Sequence, residues 1–288
     1  MKCACVAFAV SALILSAASV SAQQATVWEK SYNLSGQPAL SLEVSDSYLS
    51  VHSCGECRTV HVRIDMENSK LADYNLDESQ SGNTVRFSLK EKPHIGIHMN
   101  WHNSVKVFVE TPANLTLEAR SSDGGISAAG LHGDITVTSS DGSQDLDGVS
   151  GHLKLRSSDG SLHLRNASGT LEAHSSDGSQ DISGTFDTLQ VSSSDGSLSV
   201  DLLRGSHLSN ASTIESRDGS VTMHLPKELA LELDISASDG TISSDLPLTL
   251  NGYNSKGGSG HTIHGTINGG GPLLTVHSHD GSVRLHAS

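Results

Sequence analysis

Eight aspartates, each followed by glycine, are the residues of this chain best placed for repeated chemistry: Asp123, Asp141, Asp159, Asp177, Asp195, Asp218, Asp239 and Asp280. Their successive intervals are 18, 18, 18, 18, 23, 21 and 41 residues. A carboxylate written at a fixed interval can be stacked into a file. Asp141, Asp159, Asp177 and Asp195 would then stand about 5 Å apart. Like charges at that distance raise one another's pKa unless a cation or backbone N–H groups compensate. Two arrangements satisfy this: a Ca²⁺ ladder like that of calcium-stapled β-rolls, or a file of Asx-turns in which each side chain bonds its own backbone. The chain lacks the Gly-Gly-x-Gly-x-Asp pattern of the calcium rolls.

The second candidate is "VHSCGECRTVHV". Cys54 and Cys57 are the only cysteines beyond the first five residues. In an oxidising compartment such a pair forms a disulfide, here stapling a turn between the Leu49–Val51 and Val60–Ile64 strands. With His52 and His61 the pair also spells a Zn²⁺ set, H-x-C-x₂-C-x₃-H. A redox pair would open a helix, and the alternating Thr59-Val60-His61-Val62 says strand. In "HIGIHMNWH", His94, His98 and His102 span about 26 Å if extended, too far for one metal, so they fit a polar strand face or loop. Catalytic motifs are missing: there is no G-x-S-x-G elbow, and Gly269-Gly270-Gly271-Pro272 is followed by no Lys-Ser/Thr and no helix. Two Trp and four Tyr are few for the aromatic platforms of a polysaccharide-acting β-helix enzyme.

What must position these residues is a repeat. The units EARSSDGGISAAGLHGDI (from Glu118), TVTSSDGSQDLDGVSGHL, KLRSSDGSLHLRNASGTL and EAHSSDGSQDISGTFDTL align, and a fifth begins QVSSSDGSLSV. On either side of each Asp-Gly, apolar and polar residues alternate, as in Leu153-Lys154-Leu155 and Leu162-His163-Leu164, which is strand period. Asp-Gly is a turn, with glycine admitting positive φ. A second turn falls near Gly133, Gly151 and Gly169. Each Asp-Gly closes either an antiparallel hairpin or the corner of an 18-residue coil stacked in parallel on its neighbours. The repetition favours coils, because no unit can bury its few apolar residues alone. The expected fold is an all-β, single-domain β-solenoid, parallel β-helix-like, with an N-terminal β cap region. Gln144 and Gln180 stand where other units have Ile126, Leu162 or Leu198. They either face outward or find carbonyls in adjacent coils.

Residues 1–22 have the build of a secretory signal peptide: Lys2, an apolar run from Ala4 to Leu15, and Val20-Ser21-Ala22 at the cleavage point. Residues 23–117 lack the period but alternate as strands, and are expected to begin and cap the same sheet. Residues 118–288 are the repeat region, interrupted by a Gly-rich segment at 251–272 expected to be an extended loop or irregular coil. The final DGSVRL unit would leave an open strand edge for self-association. Without the leader the chain carries 17 basic and 32 acidic residues, a formal charge of −15. That disfavours nucleic acid and anionic lipid as partners. With 35% hydrophobic and 3% aromatic residues, the interior must be narrow.

The serial S-x-D-G-S-[LVI]-x-[LVI] units, the Val105-Lys106-Val107-Phe108-Val109-Glu110-Thr111-Pro112 strand before them and the closing HGTINGGGPLLTVHSHDGSVRL resemble the bacterial putative adhesin domain family, formerly a domain of unknown function. The resemblance covers most of the chain beyond the leader. It implies a β-solenoid, an extracytoplasmic location and no established enzymatic activity, and it brings no catalytic residues. Cys-Gly-Glu-Cys departs from the family's first hairpin. The leading expectation is an exported, non-enzymatic, adhesin-like or cell-envelope module, periplasmic, at the outer surface or secreted, without a cofactor and meeting surface or envelope components. The alternatives are a periplasmic ion- or ligand-binding module using the Asp ladder or the Cys/His hairpin, and a polysaccharide-acting enzyme.

Overall fold

The computed structural model describes residues 26–93, 104–255 and 261–288. The signal-peptide segment 1–22 and His94, His98 and His102 lie outside them. Among the described residues the chain is all-β, with a single 3₁₀ turn at Leu71–Asp73. The first strands are β1 (Thr26–Asn33), β2 (Ala39–Val44), β3 (Tyr48–Ser53), β4 (Thr59–Glu67), β5 (Tyr74–Ser81), β6 (Thr84–Glu91) and β7 (Ser104–Thr111). The repeats supply β8 (Asn114–Ser121), β9 (Ile126–Ala129), β10 (His132–Ser139), β11 (Gln144–Asp147), β12 (Ser150–Ser157), β13 (Leu162–Ser175), β14 (Gln180–Ser193) and β15 (Leu198–Leu202). After them come β16 (Ser212–Ser216), β17 (Val221–Leu225), β18 (Leu231–Ala237), β19 (Ile242–Ser244), β20 (Thr249–Ser255), β21 (His261–Ile267), β22 (Leu273–Ser278) and β23 (Val283–Ala287).

The strands that flank each Asp-Gly do not pair with each other. They pair in parallel with their equivalents in neighbouring units: His132 of β10 lies opposite Asn114 of β8 on one side and Ser150 of β12, 18 residues on, on the other. Two ladders result. One runs β5–β6–β2–β8–β10–β12–β13–β14–β16–β22–β18–β21–β20. The other runs β1–β4–β7–β3–β9–β11–β13–β14–β15–β17–β23–β19. Both long strands, β13 and β14, contribute their first part to the second ladder and their last part to the first.

Alternation decides which side chains enter the interior. Leu153 and Leu155, Leu171 and Ala173, Leu189 and Val191 come inward from one ladder; Leu162 and Leu164, Leu198 and Val200, Val221 and Met223 from the other. The core is one continuous aliphatic layer, which is why few bulky residues suffice. Gln144 and Gln180 point into it, fully buried. Their amides reach the next unit, Gln144 Nε2 donating to Arg156 O (2.5 Å) and Gln180 Nε2 to Ser192 O (2.7 Å), and Gln144 Nε2 also donates within its own unit to Ser139 Oγ (3.0 Å). Both Oε1 atoms are left without a hydrogen-bond partner.

At the N-terminal end the outermost strands of the two ladders are tied together. Lys30 and Tyr32 of β1 both reach Glu78 of β5, Tyr32 donating its hydroxyl hydrogen at 2.9 Å, and Gln80 Nε2 donates to Asn33 O at 2.7 Å. Three expectations need correcting. First, β3 and β4 are not a hairpin pair, because β7 lies between them, parallel to β3 and antiparallel to β4. The Cys loop therefore crosses the end of β7, with Cys54 N donating to Thr111 O (2.9 Å) and Ala113 N to Gly55 O (3.1 Å). Second, the Gly-rich segment contains β20 and β21, an antiparallel pair that packs on β18. The alternating Thr262-Ile263-His264-Gly265-Thr266-Ile267 carries strand period beneath a composition of small residues. Third, the last strand is not an edge. β22 and β23 lie between the units on either side, β16–β17 and β18–β19, and the free edges at this end are β19 and β20.

Candidate functional site

The Asp-Gly corners stack into one file. Each aspartate N–H donates to the carbonyl of the residue that precedes the neighbouring unit's aspartate: Asp141 N to Ser122 O (2.9 Å), Asp159 N to Ser140 O (2.9 Å), Asp177 N to Ser158 O (2.8 Å), Asp195 N to Ser176 O (2.8 Å) and Asp218 N to Ser194 O (2.8 Å). Asp123 N reaches Ser45 O (3.1 Å) in the same way, which brings Asp46 to the head of the file. At the other end Asp280 N donates to Arg217 O (2.7 Å) and Asp239 N to His279 O (2.8 Å). The file thus runs Asp46, Asp123, Asp141, Asp159, Asp177, Asp195, Asp218, Asp280, Asp239, and all nine are exposed. The structure brings together the four predicted aspartates, Asp141, Asp159, Asp177 and Asp195. Asp46 escaped the sequence pattern because Ser47, not glycine, follows it.

The turn is closed by serine. The serine two residues before the aspartate is buried, and its hydroxyl spans the corner: Ser139 Oγ donates to Gly142 O (2.7 Å), Ser157 Oγ to Gly160 O (2.6 Å), Ser175 Oγ to Gly178 O (3.0 Å) and Ser216 Oγ to Gly219 O (2.8 Å). Sequence reasoning passed over this serine, although it recurs two residues before the aspartate in every Asp-Gly turn of the file except that of Asp239, where Ala237 stands. The glycine is needed for proximity and not for positive φ: a Cβ on Gly142 would lie 2.0 Å from Gly124 O, and none of the glycines of this file has positive φ. Backbone packs on backbone here.

Stacked carboxylates perturb one another. Asp123 is pushed up to about 6, first by the hydrogen bond it shares with Asp46, then by lost hydration and the Asp46 charge, with Asp141 adding less. Asp159 is raised by lost hydration and by the charges of Asp177 and Asp141. At the far end the sign reverses. His279 Nδ1 lies 2.6 Å from Asp280 Oδ1; that bond holds Asp280 below the usual carboxylate range and raises His279.

The Cys/His set is not assembled. Cys54 and Cys57 are joined as a disulfide, with Cα atoms 5.8 Å apart, so their sulfurs are not thiolate ligands. His52 and His61 stand on either side of Glu110 of β7, His52 Nε2 pairing with Ser50 Oγ (2.6 Å) and His61 Nδ1 with Ser31 Oγ (2.9 Å). The outer faces of the ladders carry polar rows. A depression of about 460 Å³ on the first ladder is lined in part by Arg156, Glu172, His174, Gln190 and Glu215. Glu172 pairs there with Arg156 (2.7 Å) and, outside it, with Lys154 (2.9 Å). No helix of the described residues is long and apolar enough to cross a membrane.

Residues 40–286 match the family model of Toastrack DUF4097. The chain belongs to that family. The match takes in both the N-terminal strands from β2 onward and all the Asp-Gly units. No curated protein matches. Among solved structures, this Toastrack chain is similar to a putative adhesin from Bacteroides fragilis NCTC 9343 (9% identity, TM-score 0.42, covering 92% of this chain and 99% of that one). It is also similar to a putative adhesin from Parabacteroides distasonis ATCC 8503 (12%, 0.39, 91% and 98%) and a putative cell adhesion protein from Clostridium sporogenes ATCC 15579 (11%, 0.28, 92% and 100%).

Proposed function

We propose that this Toastrack protein is an exported, non-enzymatic β-solenoid with 18-residue coils that acts as an adhesin-like or cell-envelope interaction module. One observation carries the reading. The residues that recur from unit to unit are consumed by architecture: serine closes the corner, glycine permits backbone contact, and the leucines and valines fill a thin core. What remains outward is a long surface of Asp, Ser, Thr, His and paired charges. Such a surface suits extended contact with another polar surface better than the enclosure of a substrate. Function on this reading belongs to the two outer faces, and the stack serves to hold them rigid and long.

Protease digestion of intact source cells, compared with lysed cells, tests the location on which the adhesive role depends. Digestion on intact cells supports a surface module. Protection until lysis places the chain inside the envelope and overturns the adhesive role.

A further inference from the structure

We propose that Asp239, His279 and Asp280 form a binding site for a divalent transition cation of the Zn²⁺ class, at the C-terminal end of the aspartate file. The inference is independent of the adhesive reading. It rests on the donor set and its convergence. One ligand atom from each of the three residues lies within 4.8 Å of the other two. Around a tetrahedral Zn²⁺, nitrogen and oxygen donors at 2.0–2.2 Å stand about 3.4 Å apart, so small side-chain rotations of three exposed groups close the shell. Asp218, next in the file, faces the same cluster and offers a fourth oxygen, or water takes that position.

The imidazole sets this point apart from the rest of the file. The residue before aspartate is serine at Ser45, Ser122, Ser140, Ser158, Ser176, Ser194 and Ser238, arginine at Arg217, and histidine only at His279. A run of carboxylates alone offers oxygen to hard cations and selects nothing. An imidazole nitrogen among carboxylates favours Zn²⁺, Co²⁺ or Ni²⁺ over Ca²⁺ and Mg²⁺. The neighbours also assemble from distant parts of the chain: Asp280 stands between Asp218 and Asp239 because the last unit is inserted between two earlier ones. The cation would take the place of the close contact between His279 Nδ1 and Asp280 Oδ1 and offset the crowding of three carboxylates. Binding therefore weakens as His279 is protonated.

The test uses the full chain stripped of metal. Co²⁺ is titrated with its visible absorption as the readout and then challenged with Zn²⁺ or Ca²⁺, and Zn²⁺ binding is measured by calorimetry. Variants are His279→Ser, which installs the residue present in most of the other turns, Asp239→Asn, and His224→Ser as a histidine outside the cluster. The expected result is one tetrahedral Co²⁺ equivalent, displaced by Zn²⁺ and not by excess Ca²⁺. It should be lost in His279→Ser, weakened by about tenfold or more in Asp239→Asn, and retained in His224→Ser. Should His279→Ser fail to fold, Asp239→Asn and the Ca²⁺ challenge decide. Unchanged stoichiometry and affinity in both cluster variants, or displacement by Ca²⁺ as readily as by Zn²⁺, would overturn the proposal.

Discussion

Each unit of the stack turns twice, and the two corners follow different rules. At the aspartate corner nine turns are superposed, and every aspartate N–H from Asp123 onward finds the neighbouring turn's carbonyl. At the opposite corner Gly133, Gly151 and Gly169 hold the pattern with positive φ of 130°, 115° and 109°. The pattern then lapses: Phe186 faces Gly169 across a register shift. All the length variation falls at this second corner, in the segment between β15 and β16, in that between β17 and β18, and in the excursion through β20 and β21. A corner where backbone touches backbone admits neither a side chain nor an extra residue. The second corner is equally tight where its glycines stack, a Cβ on Gly151 lying 2.2 Å from Gly133 O; in the repeats insertions collect only after β14, where that stacking has ended and Gly205 has nothing within 4 Å of such a Cβ.

Substitution at glycine breaks this comparison most sharply. In Gly160→Ala the new Cβ would sit 2.2 Å from Gly142 O. A loss of about 3 kcal/mol in urea unfolding is expected, as for an overpacked interior. Gly205, in the second-corner segment, has nothing within 4 Å of such a Cβ but a φ of +93°; Gly205→Ala should cost only about 1 kcal/mol. Equal losses would remove the distinction between the stacked corners and the inserted segments.

The serine contributes next. Ser157→Ala deletes the hydroxyl that donates to Gly160 O at 2.6 Å inside the corner, and about 1–2 kcal/mol of stability should go with it. The same change at the exposed Ser158 should be silent. Gln180→Leu should act in the opposite direction. It removes an unpaired buried Oε1 and installs the residue found at the equivalent Leu162 and Leu198, so the denaturation midpoint should rise by about 1 kcal/mol equivalent.

The smallest effect is that of pH. Asp123 is raised from 3.8 to about 6 in the folded chain, so the native state holds its proton more tightly than the unfolded state. The resulting stabilisation is fully present below pH 3.8 and is lost as pH rises through about 6. Melting temperature should therefore be slightly higher at pH 5 than at pH 7. Asp46→Asn should flatten that dependence, since Asp46 is the main source of the shift. A midpoint independent of pH in the native chain would show that the carboxylates of the file do not interact.

How much of this was legible depended on whether the signal was local. Apolar alternation, as in Leu153-Lys154-Leu155, marks strands wherever it occurs, even beneath the Gly-rich surroundings of Ile263 and Ile267. The file of aspartates followed from equal spacing. The role of its glycines did not, because close approach to Gly124 or Gly142 is a property of the neighbouring unit and leaves no mark on the dipeptide itself. The same holds for β7, which passes between β3 and β4 although it follows β6 in the chain. It holds too for the cluster at His279: "HSHDGSVRL" reads as simply the next unit in line, and nothing local says that it returns to lie between Asp218 and Asp239.

That return has a consequence for the order of assembly. The chain emerges N-terminus first, and Leu231–Ala237 and Ile242–Ser244 exist before the strands that belong between them and β16–β17. Until residues 273–287 arrive, this stretch must either wait unpaired or rest directly on β16–β17 and later be displaced. Completion of the stack is thus a late, long-range closure, slow in the way non-local strand pairings are slow. A chain cut short before Leu273 would lose an interior slab and not a tip, and would leave a gap with two sticky walls.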